Sequence, residues 1–169
     1  MVYSVSCTTR APRGEEVDGE DYFYLSEEAF LTRVAQGDFL EHAVVHGHHY
    51  GTLRETVEEA LQDGLSILMD IDVQGAAQIR ESLEAAGGDD PIAGHWVDIF
   101  ISPPSIDDLR ERLEGRGEDT PDVIEARLEN AGTEMARASE YRHLVINDSL
   151  DEAYRRLRDI VWCEAGGEA

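Results

Sequence analysis

The sequence predicts a single α/β domain spanning residues 1–169, a parallel sheet flanked by helices with a small antiparallel excursion, and three observations lead there. Residues 65–75 form an apolar run that stops in two carboxylates, Asp70 and Asp72. Ile67, Leu68, Met69 and Ile71 suit a strand covered on both faces, as in parallel sheets. The two Asp then lie at its carboxyl end, on one face, where open α/β sheets hold their ligands. A plainer alternative is a strand end that meets water, with one Asp capping the helix near Val73. Second, short apolar runs alternate with segments of helical spacing along the whole chain. Third, 169 residues suit one core rather than two.

Taken in order, residues 3–9 alternate as a strand and lead to Thr8-Thr9-Arg10-Ala11-Pro12-Arg13. Pro12 and Gly14 break regular structure, so Arg10 and Arg13 stand on a loop from which guanidinium forks suit a phosphate; a solvated loop with ordinary ion pairs competes. Tyr22, Phe23 and Tyr24 form a short aromatic strand, and Ser26 caps a helix to Gln36 closed by Gly37. A strand over 39–45, a turn at Gly47 and a return over 48–52 make the antiparallel excursion that carries Glu41 and Tyr50. A helix over 53–63 follows, with Leu53, Val57, Ala60 and Leu61 as core. Beyond the two Asp come a helix over 73–84, a mobile Gly- and Asp-rich loop over 85–94, and a buried strand over 96–101. Ser105-Ile106-Asp107-Asp108 opens a helix as a capping box. That helix is expected to about 114, Arg112 and Arg116 share one face if it persists, the junction over 115–121 is pliable, and a second helix bearing Arg127 runs to about 139. A helical hairpin with scattered surface arginines is the plainer reading. A strand over 144–146 ends beside Asn147 and Asp148, and a last helix covers 150–163.

There are 37 acidic and 14 basic residues, net charge −23, and every basic residue is Arg because the sequence has no Lys. Such a surface disfavours nucleic acid and anionic membranes, and it fits solubility in concentrated salt. No apolar run has the length of a membrane span, and the first residues lack the basic-then-apolar pattern of a signal peptide, so a cytoplasmic protein is expected. Cys7 and Cys163 suit free thiols rather than a disulfide or zinc site. His42, His46, His48 and His49 invite a metal reading, but no carboxylate or Cys completes a first shell at ligand spacing, so none is expected there.

Seven segments together resemble guanylate kinase, of the nucleoside monophosphate kinase family: residues 6–13, 17–22, Phe39-Leu40-Glu41, Tyr50-Gly51-Thr52, Asp70-Ile71-Asp72-Val73-Gln74-Gly75, Arg112-Leu113-Glu114-Gly115-Arg116-Gly117 and Val145-Ile146-Asn147-Asp148. The resemblance implies a P-loop-kinase-like core, a GMP-binding region over about 8–52, a helical lid over about 110–138, and transfer of the γ-phosphoryl of ATP to GMP with Mg²⁺. It implies that Arg10, Arg13, Tyr22 and Tyr50 hold the GMP phosphate, with Glu16 supporting the arginines. Ser6, Glu41, Thr52 and Asp70 would read guanine, whose N1 and N2 donors suit carboxylates while adenine's N1 does not. Asp72 would lie near Mg²⁺ through water, Arg112, Arg116 and Arg127 would stabilise the transferring phosphoryl, and Asn147 would lie near the ATP adenine.

The family's first strand, its phosphate loop Gly-x-x-x-x-Gly-Lys-[Ser/Thr] and first helix find no counterpart in these 169 residues. The expectation is therefore a sequence truncated at its N terminus, with little activity as written. A GMP-binding module without catalysis and a phosphopeptide-binding interaction domain are the alternatives. Oligomeric state is open.

Overall fold

The computed structural model describes residues 1–166 except His46 and Glu118, and the backbone but not the side chain of Asp89. Two compact units emerge, Met1–Trp96 and Val97–Ala169.

In the first unit, β1 (Val2–Tyr3), β2 (Ser6–Thr8) and β3 (Tyr22–Tyr24) precede α1 (Glu27–Gln36). A hairpin of β4 (Phe39–Val45) and β5 (His48–Leu53) follows, then α2 (Arg54–Gln62), β6 (Ile67–Leu68) and α3 (Val73–Ala86). The strand expected over 3–9 is instead two strands in two sheets. β1 runs parallel to β6, with Val2 opposite Ile67, whereas β2 enters a four-stranded sheet of order β3-β2-β5-β4. In that sheet β2 is parallel to β3 and antiparallel to β5, and β5 is antiparallel to β4. The Ser4 N–H still bonds the Leu68 carbonyl at 2.9 Å, so the chain leaves one ladder within two residues of joining the other.

Alternation along β2 turns Cys7 into a cluster with Phe30 and Phe39, while Ser6 and Thr8 share the opposite face. Phe30 reaches that cluster on a well-stopped helix. The Ser26 hydroxyl accepts the Ala29 N–H, and Gly37, at φ 77°, closes α1 by donating to the Arg33 and Val34 carbonyls. A second cluster joins Leu40, Val57, Ile79, Leu83 and Ile92.

The run over 65–71 yields a strand of only two residues covered on one face: Ile67 packs on the second cluster, but Leu68 is 44 % exposed. Period-two geometry sends the pair to opposite sides, Ile67 toward the cluster and Leu68 away from it. The segment over 85–94 is more regular than the loop expected there, although most of its described residues are exposed. α3 persists to Ala86, a 3₁₀ turn follows at Gly87–Asp89, and Ile92 is buried in the second cluster. The Asp90 carboxylate accepts from Arg54 Nη1 at 3.0 Å and from the Ile92 N–H at 2.8 Å, which ties the segment to α2.

In the second unit, β7 (Ile99–Ser102), α4 (Ile106–Arg116), α5 (Pro121–Met135), β8 (His143–Ile146) and α6 (Leu150–Glu164) follow in order. β7 and β8 are parallel, Ile99 opposite His143 through Ser102 opposite Ile146. The ladder starts later than the expected 96 because Asp98 is used at its entrance. Its carboxylate accepts the Arg142 N–H at 2.8 Å and its carbonyl the His143 N–H at 3.2 Å. Leu113, Ile124 and Leu128 join α4 to α5, and Val145, Ala153 and Ile160 join α6 to β8. The Ser105 hydroxyl accepts the Asp108 N–H at 3.1 Å, one half of the expected capping box, and itself donates to the Asp108 carboxylate. α5 ends at Met135 rather than 139, and a 3₁₀ turn takes up Ala138–Glu140. Among the described residues no helix is long and apolar enough to cross a membrane.

Candidate active site

Ser6 on β2, Tyr22 opposite it on β3, Glu41 on β4 and Tyr50 on β5 face one hollow of about 260 Å³, whose wall after β6 carries Asp70, Ile71 and Asp72. Strand register assembles it: Glu41 lies opposite Thr52, and Ala43 opposite Tyr50. Glu41 is only 5 % exposed, and its Oε1 accepts the hydroxyl of the buried Thr52 at 2.7 Å. Burial pushes its carboxyl above the ordinary range and the charge of Asp72 adds to that, while the Thr52 hydrogen bonds oppose it. A carboxylate sunk in this way is worth most to a ligand that brings N–H donors. Asp70 is exposed at the rim. Asp72 caps α3, its Oδ1 accepting the Gly75 N–H at 2.8 Å and its Oδ2 the Gln74 amide at 3.2 Å.

Beside the hollow, Arg10 is 6 % exposed and its guanidinium stands over the Tyr22 ring, 5.3 Å from the centroid. The Tyr22 and Tyr50 rings meet edge to face at 6.1 Å. Glu16 takes the Arg10 fork with both oxygens at 2.9 Å, accepts the Arg13 backbone N–H at 2.6 Å and the Tyr24 hydroxyl at 2.8 Å. The Glu16 partnership, with a smaller contribution from the Tyr50 hydroxyl, holds Arg10 charged against its desolvation. Conversely the Arg10 guanidinium first, then the Arg13 N–H and Tyr24 hydroxyl, hold the Glu16 carboxyl down at about 2 from an ordinary 4.5. Arg13 is tied to Glu16 through its backbone, and the residue is exposed.

The second unit carries the remaining predicted residues. α4 persists to Arg116, so Arg112 and Arg116 do share a face. Arg112 donates to the Asp148 carbonyl at 3.1 Å, and Arg127 on α5 lies 3.3 Å from Asp119. The buried Nε of Arg127 has no hydrogen-bond partner among the described residues. Asn147 follows β8, its N–H bonding the Ser102 carbonyl at 2.7 Å. Of the expected junction over 115–121, Glu118 lies outside the described residues, as does His46 of the histidine group.

The guanylate kinase family model matches residues 1–164. The chain belongs to the guanylate kinase family. Among its relatives, the guanylate kinase of Polaromonas sp. is 47 % identical over 158 residues, which is 94 % of this chain and 72 % of that one. The guanylate kinase of Thermotoga maritima is 43 % identical over 164 residues, covering 97 % and 74 %. The crystal structure of guanylate kinase from Anaplasma phagocytophilum superposes with a TM-score of 0.76 at 34 % identity, over 96 % of this chain and 76 % of that chain.

Of the residues expected to form a guanylate kinase site, Ser6, Tyr22, Glu41, Tyr50, Asp70 and Asp72 line the one hollow, and Thr52 bonds to Glu41. Arg10 and Glu16 adjoin it through Tyr22. Sequence reasoning missed Tyr3, Asp21, Ala43 and Val45, which also line it. Ala43 and Val45 were available from the period of two that starts at Glu41. Tyr24 was missed in the same way, two residues after Tyr22. Gly51 had no such signal: a Cβ there would lie 2.9 Å from the Phe39 ring and 3.0 Å from the Glu41 carbonyl.

The Glu16 anchor carries an acid signature. Because its folded pKa is depressed, its stabilising contribution is complete above 4.5 and is lost as pH falls toward about 2. Tyr24→Phe removes one of its donors, so the Glu16 carboxyl should titrate higher and acid unfolding begin at higher pH. Carboxyl NMR titration of both proteins checks this, and an unmoved Glu16 would take Tyr24 out of the anchor.

Proposed function

We propose that this chain binds GMP in the hollow of its first unit, as the acceptor part of a phosphoryl transfer from ATP to GMP that gives ADP and GDP, and that these 169 residues turn over slowly. The observation that carries this reading is a buried carboxylate, Glu41, sharing a hollow with two tyrosines that lean on a buried arginine. Guanine offers N–H donors at N1 and N2 to Glu41 and Asp70, with Ser6 completing the polar edge and the buried Thr52 hydroxyl holding Glu41. Adenine presents an acceptor at N1, so the same carboxylates leave it unpaired. The GMP phosphate is held by Arg10 and Arg13 and by the Tyr22 and Tyr50 hydroxyls, while Glu16 keeps the Arg10 fork aimed before the ligand arrives.

The Asp72 carboxylate suits Mg²⁺ held through retained water, the mode in which this ion binds one or two carboxylates together with substrate phosphates. Asp72 would hold the ion through its water shell, since its two oxygens already accept from Gly75 and Gln74. Magnesium bound with ATP neutralises charge on the phosphates. Arg112, Arg116 and Arg127 would offset charge that a loose transition state spreads over the transferring oxygens, and Asn147 would meet the ATP adenine.

Calorimetry of the 169-residue chain should show GMP binding at least roughly tenfold tighter than AMP, the ratio one charge-assisted hydrogen bond sustains. Equal affinities, or none, would overturn the reading. In a coupled assay with ATP, Mg²⁺ and GMP the same chain should form little ADP, because it has no Lys to reach the donor phosphates. Turnover at a full kinase rate would refute that part.

A further inference from the structure

We propose that Gly75 is a positioning residue for Glu41: its missing side chain is the space in which the guanine-reading carboxylate lies. This rests on the GMP reading above and names what sets its base selectivity. Gly75 is the third residue of α3, buried, with its N–H on the Asp72 carboxylate at 2.8 Å. A Cβ there would stand 2.5 Å from Glu41 Oε2, 3.0 Å from Cδ and 3.3 Å from Cγ, closer than Cβ atoms approach a carboxylate.

Neither backbone is free to yield. Gln78, one turn along α3, bonds both backbone groups of His42, accepting its N–H at 3.2 Å and donating to its carbonyl at 2.8 Å. That strap fixes α3 to the strand residue next to Glu41. The clash therefore falls on the movable end of one side chain. An added methyl is absorbed by displacing the Glu41 carboxylate from its place against Thr52, so recognition suffers while the fold survives. Alanine is also the better helix former, which sends the stability effect in the opposite direction from the binding effect. A glycine serving only close packing would lose both together.

The experiment is a binding cycle on the full 169-residue chain. Gly75→Ala should weaken GMP binding roughly tenfold or more, as overpacking of a fitted site does, with AMP binding unchanged and the melting temperature level or higher. Gly132→Ala, in α5 with nothing within 4 Å of a new Cβ, should leave GMP affinity unchanged. In a Glu41→Asp background, one methylene shorter, the same Gly75→Ala change should cost less than about threefold. In the absence of nucleotide, the Thr52 amide shift should move in Gly75→Ala and stay put in Gly132→Ala. A folded Gly75→Ala protein with wild-type GMP affinity, or an equal penalty in both backgrounds, overturns the proposal. If the wild type ignores GMP, the functional reading fails, and the Thr52 shift still decides whether Gly75 places Glu41.

Discussion

Arg10→Met is expected to weaken GMP binding by roughly two to three orders of magnitude, the range found when one partner of a desolvated, hydrogen-bonded charge pair is removed. Arg10 is almost fully buried and its fork is already oriented by Glu16, so a phosphate meets a cation that needs no reorganisation. Arg13 differs in each respect, being exposed and held to Glu16 through its backbone, so its loss should matter far less. Arg10→Lys should recover little, because an ammonium cannot satisfy both Glu16 oxygens in a fork. Calorimetry with GMP, on proteins whose thermal melts show them folded, makes the comparison. A loss below about tenfold for Arg10→Met would mean that the phosphate is held elsewhere.

Glu41→Gln should reduce the preference for GMP over AMP by roughly ten- to hundredfold, the worth of a hydrogen bond to a charged acceptor. It should also remove a pH dependence. Burial raises the Glu41 carboxyl above its ordinary 4.5, so across a window starting at 4.5 and reaching upward the folded, empty protein holds a proton that the unfolded chain has lost. Stability without ligand accordingly falls as pH rises through that window, because the folded state binds more protons there. GMP binding runs the other way, strengthening as Glu41 ionises and can accept from N1 and N2. The phosphate of GMP titrates too, at a second pKa of about 6, so the readout is the difference between the wild-type and Glu41→Gln profiles. Parallel profiles would remove Glu41 from base recognition.

The parts of this structure that were legible beforehand are those governed by local chemistry. Ser26 and Gly37 bracket α1, Ser105 opens α4, and the hairpin that carries Glu41 and Tyr50 follows from alternation around Gly47. Asp70 and Asp72 fall after β6 because an apolar run that ends in carboxylates has few other uses. What stayed hidden depends on contacts distant in sequence. The break between β1 and β2 arises because their neighbours, β6 and β5, belong to different sheets. Ile92 sits in a stretch whose Gly and Asp content signals a loose loop, yet a partner 36 residues away, Arg54 on Asp90, anchors it. The site divides in the same manner. Glu41 is visible as an acid on a strand, whereas Gly51 and Gly75, noted beforehand only as members of the matching segments, matter through space they leave empty, which strand and helix periods do not show.

Three-residue β2 commits Cys7 to the Phe30 core and, on its reverse, Ser6 to the hollow and Thr8 to the Arg10 N–H at 3.1 Å. Were that ribbon to slide by a single position, thiol and hydroxyl would trade sides, and molecules with the wrong core would be the same molecules that cannot hold nucleotide. Saturation stoichiometry with GMP thus becomes a headcount of chains whose central strand has locked into its proper alignment.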